Sequence, residues 1–528
     1  MRRRLIAVLA ALVAGCGPAI GGGAGLPSPA SPFRPEDRVV LGNFARVNAI
    51  ATSFDRVFVA FPTAVGLWRP LTQRWEVPRT PPRPAMLRDV RLAILDPADQ
   101  SLWLGTAQGW IHYTPTLERW DEGPLPGTPT AIGVDPADGI GGAWFRIDGR
   151  WYRQARIGGA TQLATPSRSL QIAPTIDDAL RDVPQLRTIA PRLVTGPGLE
   201  QGRLTAAAPL SDGATWLLGT SNLGVLKLDR IGASAPPLAL GLRGTSVGAI
   251  ALLPDGIWVA TDAELRTSAE LAFLPLDLST STSVDGAPPF GLPFAAARRI
   301  VASDRALWLA TDQGVVRLTL PDRRTTRWNE VNGLPDPRTL SLVLHQGRMV
   351  AGTMRGLAEV QDDGTAERLA MRFIDPAYAL LSRGDTLWVG TPFGLRAWMP
   401  GEVGLAEPEG LARLGGARVP VRGIGYVADT LVAMTESQLL WRDPLSGAWT
   451  AGPLLSGLGR LTAFAVTSDG IWVGGDRGAG FVRPMSPLLR SLYAPTDLPG
   501  GVTAIASEGS YLWIGTTEGL VRLRLQGR

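Results

Sequence analysis

Apolar and polar positions along most of the chain follow one repeating pattern, and it is the pattern of short β-strands. Each unit opens with a turn, then runs L-W-[LIV]-G-T, two variable residues, G-[LV] and an alternating strand such as Val315-Val316-Arg317-Leu318. Alternation with period two marks a strand with one buried face. The clearest copies are Leu102-Trp103-Leu104-Gly105-Thr106, Leu307-Trp308-Leu309-Ala310-Thr311, Leu387-Trp388-Val389-Gly390-Thr391 and Leu512-Trp513-Ile514-Gly515-Thr516. Weaker copies centre on Phe58, Trp144, Trp216, Trp258, Met349, Val432 and Trp472. The eleven centres lie 45, 41, 72, 42, 50, 41, 39, 44, 40 and 41 residues apart. A second aromatic follows some 17 to 20 residues after a centre, at Trp75, Trp120, Trp328 and Trp449, and marks an outer fourth strand.

A period near 41 with four short strands per unit predicts an all-β fold. The expected architecture is a β-propeller of four-stranded antiparallel blades, about 11–12 in number. That exceeds the usual complement of one ring, so two rings are expected. Turns such as Pro254-Asp255-Gly256 and Ser468-Asp469-Gly470 supply the reversal before the strand. The repeated Trp103, Trp144, Trp216, Trp258, Trp308, Trp388, Trp472 and Trp513 are expected to fill the wedges between blades.

L-W-[LIV]-G-T-x-x-G-[LV] resembles the two-component-regulator propeller repeat, found in sensory domains of bacterial hybrid kinases and in other envelope proteins. The resemblance spans about residues 45 to 528 and implies the fold. No kinase, transmembrane or DNA-binding segment accompanies it in this sequence.

Boundaries follow from composition. Residues 275–297 are rich in Ser, Thr, Pro and Gly and read as a linker between a first propeller, 37–274, and a second, 298–528. The 72-residue interval predicts an insertion or a degenerate blade at about 160–203, with a short helix near Thr175–Pro184. Against this split, the last repeat stops after its third strand while Arg38-Val39-Val40-Leu41 precedes the first as a spare strand. If that strand completes the last blade, the first and last blades share one ring, and the second ring is inserted or a single large ring forms.

The N-terminus changes the setting. Arg2, Arg3 and Arg4 precede an apolar run, Leu5 to Val13, which ends in Val13-Ala14-Gly15-Cys16. This is the form of a signal peptide (1–15) with a bacterial lipobox. Cys16 is the one cysteine in the sequence, so it is the expected lipidation site. Residues 16–36 read as a flexible Gly/Pro/Ala tether. The implied location is the bacterial cell envelope, lipid-anchored and in the outer membrane. Removing the three arginines lowers Lys+Arg from 52 to 49 against 47 Asp+Glu, so no nucleic-acid partner is expected.

Candidate chemistry is sparse. The two histidines, His112 and His345, read as packed or solvated residues, and neither a metal site, a cofactor nor a catalytic residue is expected. Ser211-Asp212-Gly213 lacks a residue of the sialidase Asp-box, and Asp96-Pro-Ala-Asp99 and Asp135-Pro-Ala-Asp138 read as turns. The variable pairs after each motif Thr fall at hairpin tips on one rim. There Asp312, Arg355, Phe393, Glu436, Arg477 and Glu518 are the candidate partner-binding residues. The favoured expectation is a non-catalytic envelope lipoprotein whose propeller binds another envelope protein or a glycan. The alternatives are a propeller glycan hydrolase or lyase, and a ligand-sensing component for a separate kinase.

Overall fold

The computed structural model describes residues 37–525, apart from 43, 79–80, 82–83, 139–140, 185, 190–193, 196–199, 202, 230–237, 239–240, 243, 263–268, 280, 286–293, 304, 321, 412–418, 469 and 485. The expected signal peptide, Cys16 and tether lie outside the described residues. Eleven antiparallel sheets follow in chain order as blades 1 to 11: 49–76, 90–124, 131–172, 204–229, 246–285, 297–328, 339–369, 379–398, 423–454, 461–493 and 502–524. Most have four strands, and every repeat centre read from the sequence lies on the second strand of its sheet. Trp75, Trp120, Trp328 and Trp449 lie on fourth strands, as the spacing predicts.

The motif's residue types are explained by the hairpin they build. In blade 6 the Thr311 hydroxyl donates to the Gly314 carbonyl (2.7 Å) and accepts from the Gln313 N–H (3.2 Å). The same bonds recur at Thr106, Thr353, Thr391, Thr435 and Thr516, pinning the turn between the second and third strands. The small residue before Thr marks where neighbouring blades close up. A methyl group added to Gly515 would lie 2.6 Å from Val247 Cγ1 of blade 5. Six of the eight repeated tryptophans are buried; Trp308 and Trp388 are half-buried, and the Arg317 guanidinium covers Trp308 at 5.3 Å.

Two rings result. Blades 5 to 11 form a seven-bladed ring, because the inner strand of blade 11 packs on those of both blade 10 and blade 5. The spare strand Arg38–Leu41 pairs with Gly519–Arg524 and completes blade 11. This strand completes blade 11 and removes a free sheet edge, but the first blade does not share that ring, against the expectation that the first and last blades would.

Blades 1 to 4 are inserted between that strand and blade 5, in spatial order 4-1-2-3. One face of blade 4 joins blade 1 through Leu217 and Val225. Its other face, Ala207, Trp216, Leu218 and Leu226, packs on Ala179, Val183 and Leu186 of the helical segment. That segment opens with helix α1 (Ile176–Asp182), capped by a Thr175–Asp178 box, and takes the place of a neighbouring blade.

The linker expected at 275–297 is corrected by these sheets. It holds the outer strand of blade 5, Thr282–Asp285, paired with Glu270–Pro275. The inner strand of blade 5 packs on blades 6 and 11, so the junction between rings falls between Asp229 and Ser246. A Ser/Thr-rich composition suits an outer blade strand as well as it suits a linker. The rings share one core in which Val59 and Trp68 of blade 1 meet Ile257 and Leu274 of blade 5, and Leu41 and Trp513 of blade 11.

Candidate functional site

Inner strands of the seven-bladed ring pack side by side, and their pairing with the second strands breaks the regular alternation at a recurring position. In blades 5, 6, 7, 10 and 11 the pairing with the second strand slips by one residue opposite the motif's end. Each slip is a β-bulge that turns one residue out of the alternation. The bulged residues are Gly248, Arg298, Leu340, Thr462 and Thr503, and the corresponding residues of blades 8 and 9 are Tyr378 and Arg422.

These residues stitch blade to blade. Thr462 donates to the Val502 carbonyl and Thr503 to the Val247 carbonyl, each at 2.5 Å. The Arg422 guanidinium stacks 3.7 Å from the Tyr378 ring centroid and donates to Glu436 at 2.9 Å.

Blade 6 departs from its neighbours. The residue after the bulge is small elsewhere in the ring: Ala249, Ser341, Ala379, Gly423, Ala463 and Ala504. In blade 6 it is Arg299, beside Arg298. Arg299 is exposed, and desolvation by the surrounding protein lowers its pKa. Close by, burial raises the Asp262 carboxyl, opposed by the charge of Arg298 and aided by that of Asp312.

The six candidate rim residues all lie at tips between second and third strands, and they differ in what they do. The Asp312 carboxylate accepts from the Ala295 and Ala296 N–H groups at 3.1 and 3.2 Å. Glu436 is held by Arg422, and Glu518 by Arg88, whose guanidinium also donates to the Pro499 carbonyl at 3.0 Å. Glu518 thus fastens the seven-bladed ring to the loop before blade 2.

Arg355 and Arg477 are exposed, with side chains free of hydrogen bonds and ion pairs among the described residues. Phe393, 51% exposed, borders a cavity of about 340 Å³ with Arg372, Phe373, Asp375 and Arg396. No hydrogen bond or ion pair joins any two of the six among the described residues.

The remaining candidates are structural. His112 stacks on Trp103, centroids 4.0 Å apart, and burial lowers its pKa to about 4. His345 Nδ1 shares a 2.9 Å hydrogen bond with the Ser382 hydroxyl of blade 8. Asp96 and Asp99 cap their turn and pair with Arg156; Asp138 pairs with Arg153. Asp212 accepts from the Ala214 and Thr215 N–H groups, which makes it a turn residue. Among the described residues no group of His, Cys, Asp and Glu is arranged to hold a metal ion.

Arg298 and Arg299 escaped the motif-centred reading because they lie upstream of it. They carry a signal all the same: the bulge position falls ten residues before the repeat centre in six of the seven blades, from Gly248 to Thr503.

No protein-family profile matches the sequence, and no curated protein matches it. Similar solved structures include PorZ, a bacterial surface component of the type-IX secretion system of Porphyromonas gingivalis. It is 11% identical over 90% of this chain and 68% of that one, with a TM-score of 0.47. The extracellular domain of the putative one-component system BT4673 from B. thetaiotaomicron is 13% identical over 90% and 69%, at 0.34. Virginiamycin B lyase from Staphylococcus aureus is 14% identical over 53% and 96%, at 0.43. Two of the three are described as surface or extracellular.

Proposed function

We propose that this chain is a non-catalytic envelope lipoprotein that binds an envelope protein through one face of its seven-bladed ring. The observation that carries the reading is the division of labour within the repeat. Trp, Gly and Thr of the motif are consumed by packing and turn closure, while the tips present the exposed Arg355, Arg477 and Phe393. Exposed aromatic and arginine side chains are residue types that protein interfaces favour. Acylation of Cys16 holds the scaffold at the outer membrane, since two or three acyl chains anchor firmly.

Crosslinking in the native envelope tests this. The wild-type protein should give a defined adduct that is lost when Arg355, Phe393 and Arg477 are changed together to Ala. Unchanged adducts in that variant would overturn the binding face. A Cys16→Ala protein that still fractionates with the membrane would overturn the anchor.

A further inference from the structure

We propose that blade 8 carries a self-association surface, on which a second copy of this chain docks about a two-fold axis. This rests on the reading of that face as a binding surface and gives its blade 8 end one occupant.

The surface arises where the ring departs from its own pattern. The described residues of blade 8 form three strands, whereas the other six blades of the ring have four. In place of a fourth strand, the chain after Trp398 makes a single bridge, Ala406 to Ala397. The Arg372 N–H donates to the Val403 carbonyl at 2.9 Å, which ties this return segment to the loop before the inner strand. Three segments then meet at the cavity of about 340 Å³: Arg372, Phe373 and Asp375 from that loop, Phe393 from the hairpin tip, Gly404 and Leu405 from the return. On and beside these segments Met371, Ile374, Phe393, Met399 and Val403 are left 48–65% exposed. No comparable stretch of the described residues leaves as many large apolar side chains in the open. Such a concentration marks an interaction site, whereas apolar residues scattered singly do not.

The charges at the cavity point to the occupant. Arg396 is paired with Glu407 at 2.8 Å. The side chains of Arg372 and Asp375 make no hydrogen bond or ion pair among the described residues, although both line the cavity. A two-fold interface must be self-complementary, because the same patch serves both copies. One unpaired cation beside one unpaired anion meets that condition: each copy's Arg372 faces the other copy's Asp375. A cavity and protruding apolar side chains on one patch meet it in shape. A surface of anionic lipid would attract Arg372 but repel Asp375.

Sedimentation velocity of the mature chain carrying Cys16→Ala is the test, with a dimer expected to grow in as concentration rises. Arg372→Asp and Asp375→Arg each set like charges against each other across the axis, and each should weaken dimerisation about tenfold or more. Mixing the two variants in equal amounts should restore it, because each then meets opposite charge in the other. Ile374→Ser, at an exposed side chain, should also weaken the dimer while leaving the urea midpoint unchanged, which separates loss of surface from loss of fold.

A wild type that stays monomeric up to about 100 μM would overturn the second copy. So would a dimer indifferent to both charge changes, or a mixture that associates no better than its components. Binding of a monomeric wild type to phosphatidylglycerol vesicles would overturn it too, and would give the patch to a lipid surface. If the chain is monomeric yet the envelope adduct is still lost on changing Arg355, Phe393 and Arg477, the second copy falls and the binding face stands. Dimerisation as expected, with an adduct unaffected by those changes, would support the second copy and overturn the wider face alone.

Discussion

Leu41→Ala isolates the contribution of the N-terminal strand to ring closure. Leu41 is 2% exposed and pairs with Leu520 on the last strand of blade 11. Its side chain belongs to the core that contains Phe44, Val57, Leu217, Val247 and Trp513, contributed by both rings. Truncating a buried leucine costs about 2–5 kcal/mol, the larger values where the surroundings cannot collapse into the space. Here the neighbours are fixed by two rings at once, so the upper half of that range is expected.

At about 1.4 kcal/mol per tenfold, the folded-to-unfolded ratio should drop by about 2.5 to 3.5 orders of magnitude. Urea unfolding of the mature chain, followed by tryptophan fluorescence, reads this as a lower midpoint at constant slope. A loss below about 1 kcal/mol, the size of an ordinary surface substitution, would refute the reasoning. The strand would then decorate a ring already closed without it.

Other expectations follow from the same contacts. The folded pKa of His112, about 4, lies below the ordinary value of 6.5, so the neutral ring is favoured by folding and the unfolded chain takes up the proton first. Stability from this group is full above pH 6.5 and is lost as pH falls towards 4; in His112→Phe, urea midpoints at pH 7 and pH 5 should differ less than in the wild type. Thr516→Val removes a buried hydroxyl that donates to the Gly519 carbonyl at 2.8 Å and accepts from the Glu518 N–H at 3.2 Å. It should cost about 1–3 kcal/mol in the same unfolding assay, and a neutral result would show that the motif Thr does not pin its hairpin.

Blade number and strand content were legible because the repeat is local: Gly515 and Thr516 each serve contacts within a hairpin or with one neighbouring blade. Partition into rings depends on which inner strands lie side by side, a relation between residues as distant as Thr503 and Val247. The spare strand Arg38–Leu41 carried that information, whereas the Ser/Thr-rich composition of 275–297 pointed elsewhere. At the site, the tips were legible as a rim, but Glu436 and Glu518 are held by Arg422 and Arg88 from other segments, which sequence spacing does not show. Arg298 and Arg299 became visible only through the bulge register, which sets blade 6 apart from its neighbours.

The central structural claim is that the N-terminal strand shuts the seven-bladed ring and leaves blades 1 to 4 as an insertion. Val39 and Arg522 face each other across the closing pair of strands. Directly opposed Cα atoms in an antiparallel pair lie about 4.5–5.5 Å apart, within the span a disulfide bridges. In a Cys16→Ala background, Val39→Cys/Arg522→Cys should form an intramolecular disulfide on mild oxidation, seen by mass spectrometry as one linked peptide pair. Free thiols after oxidation, or links only between separate chains, would contradict the closure.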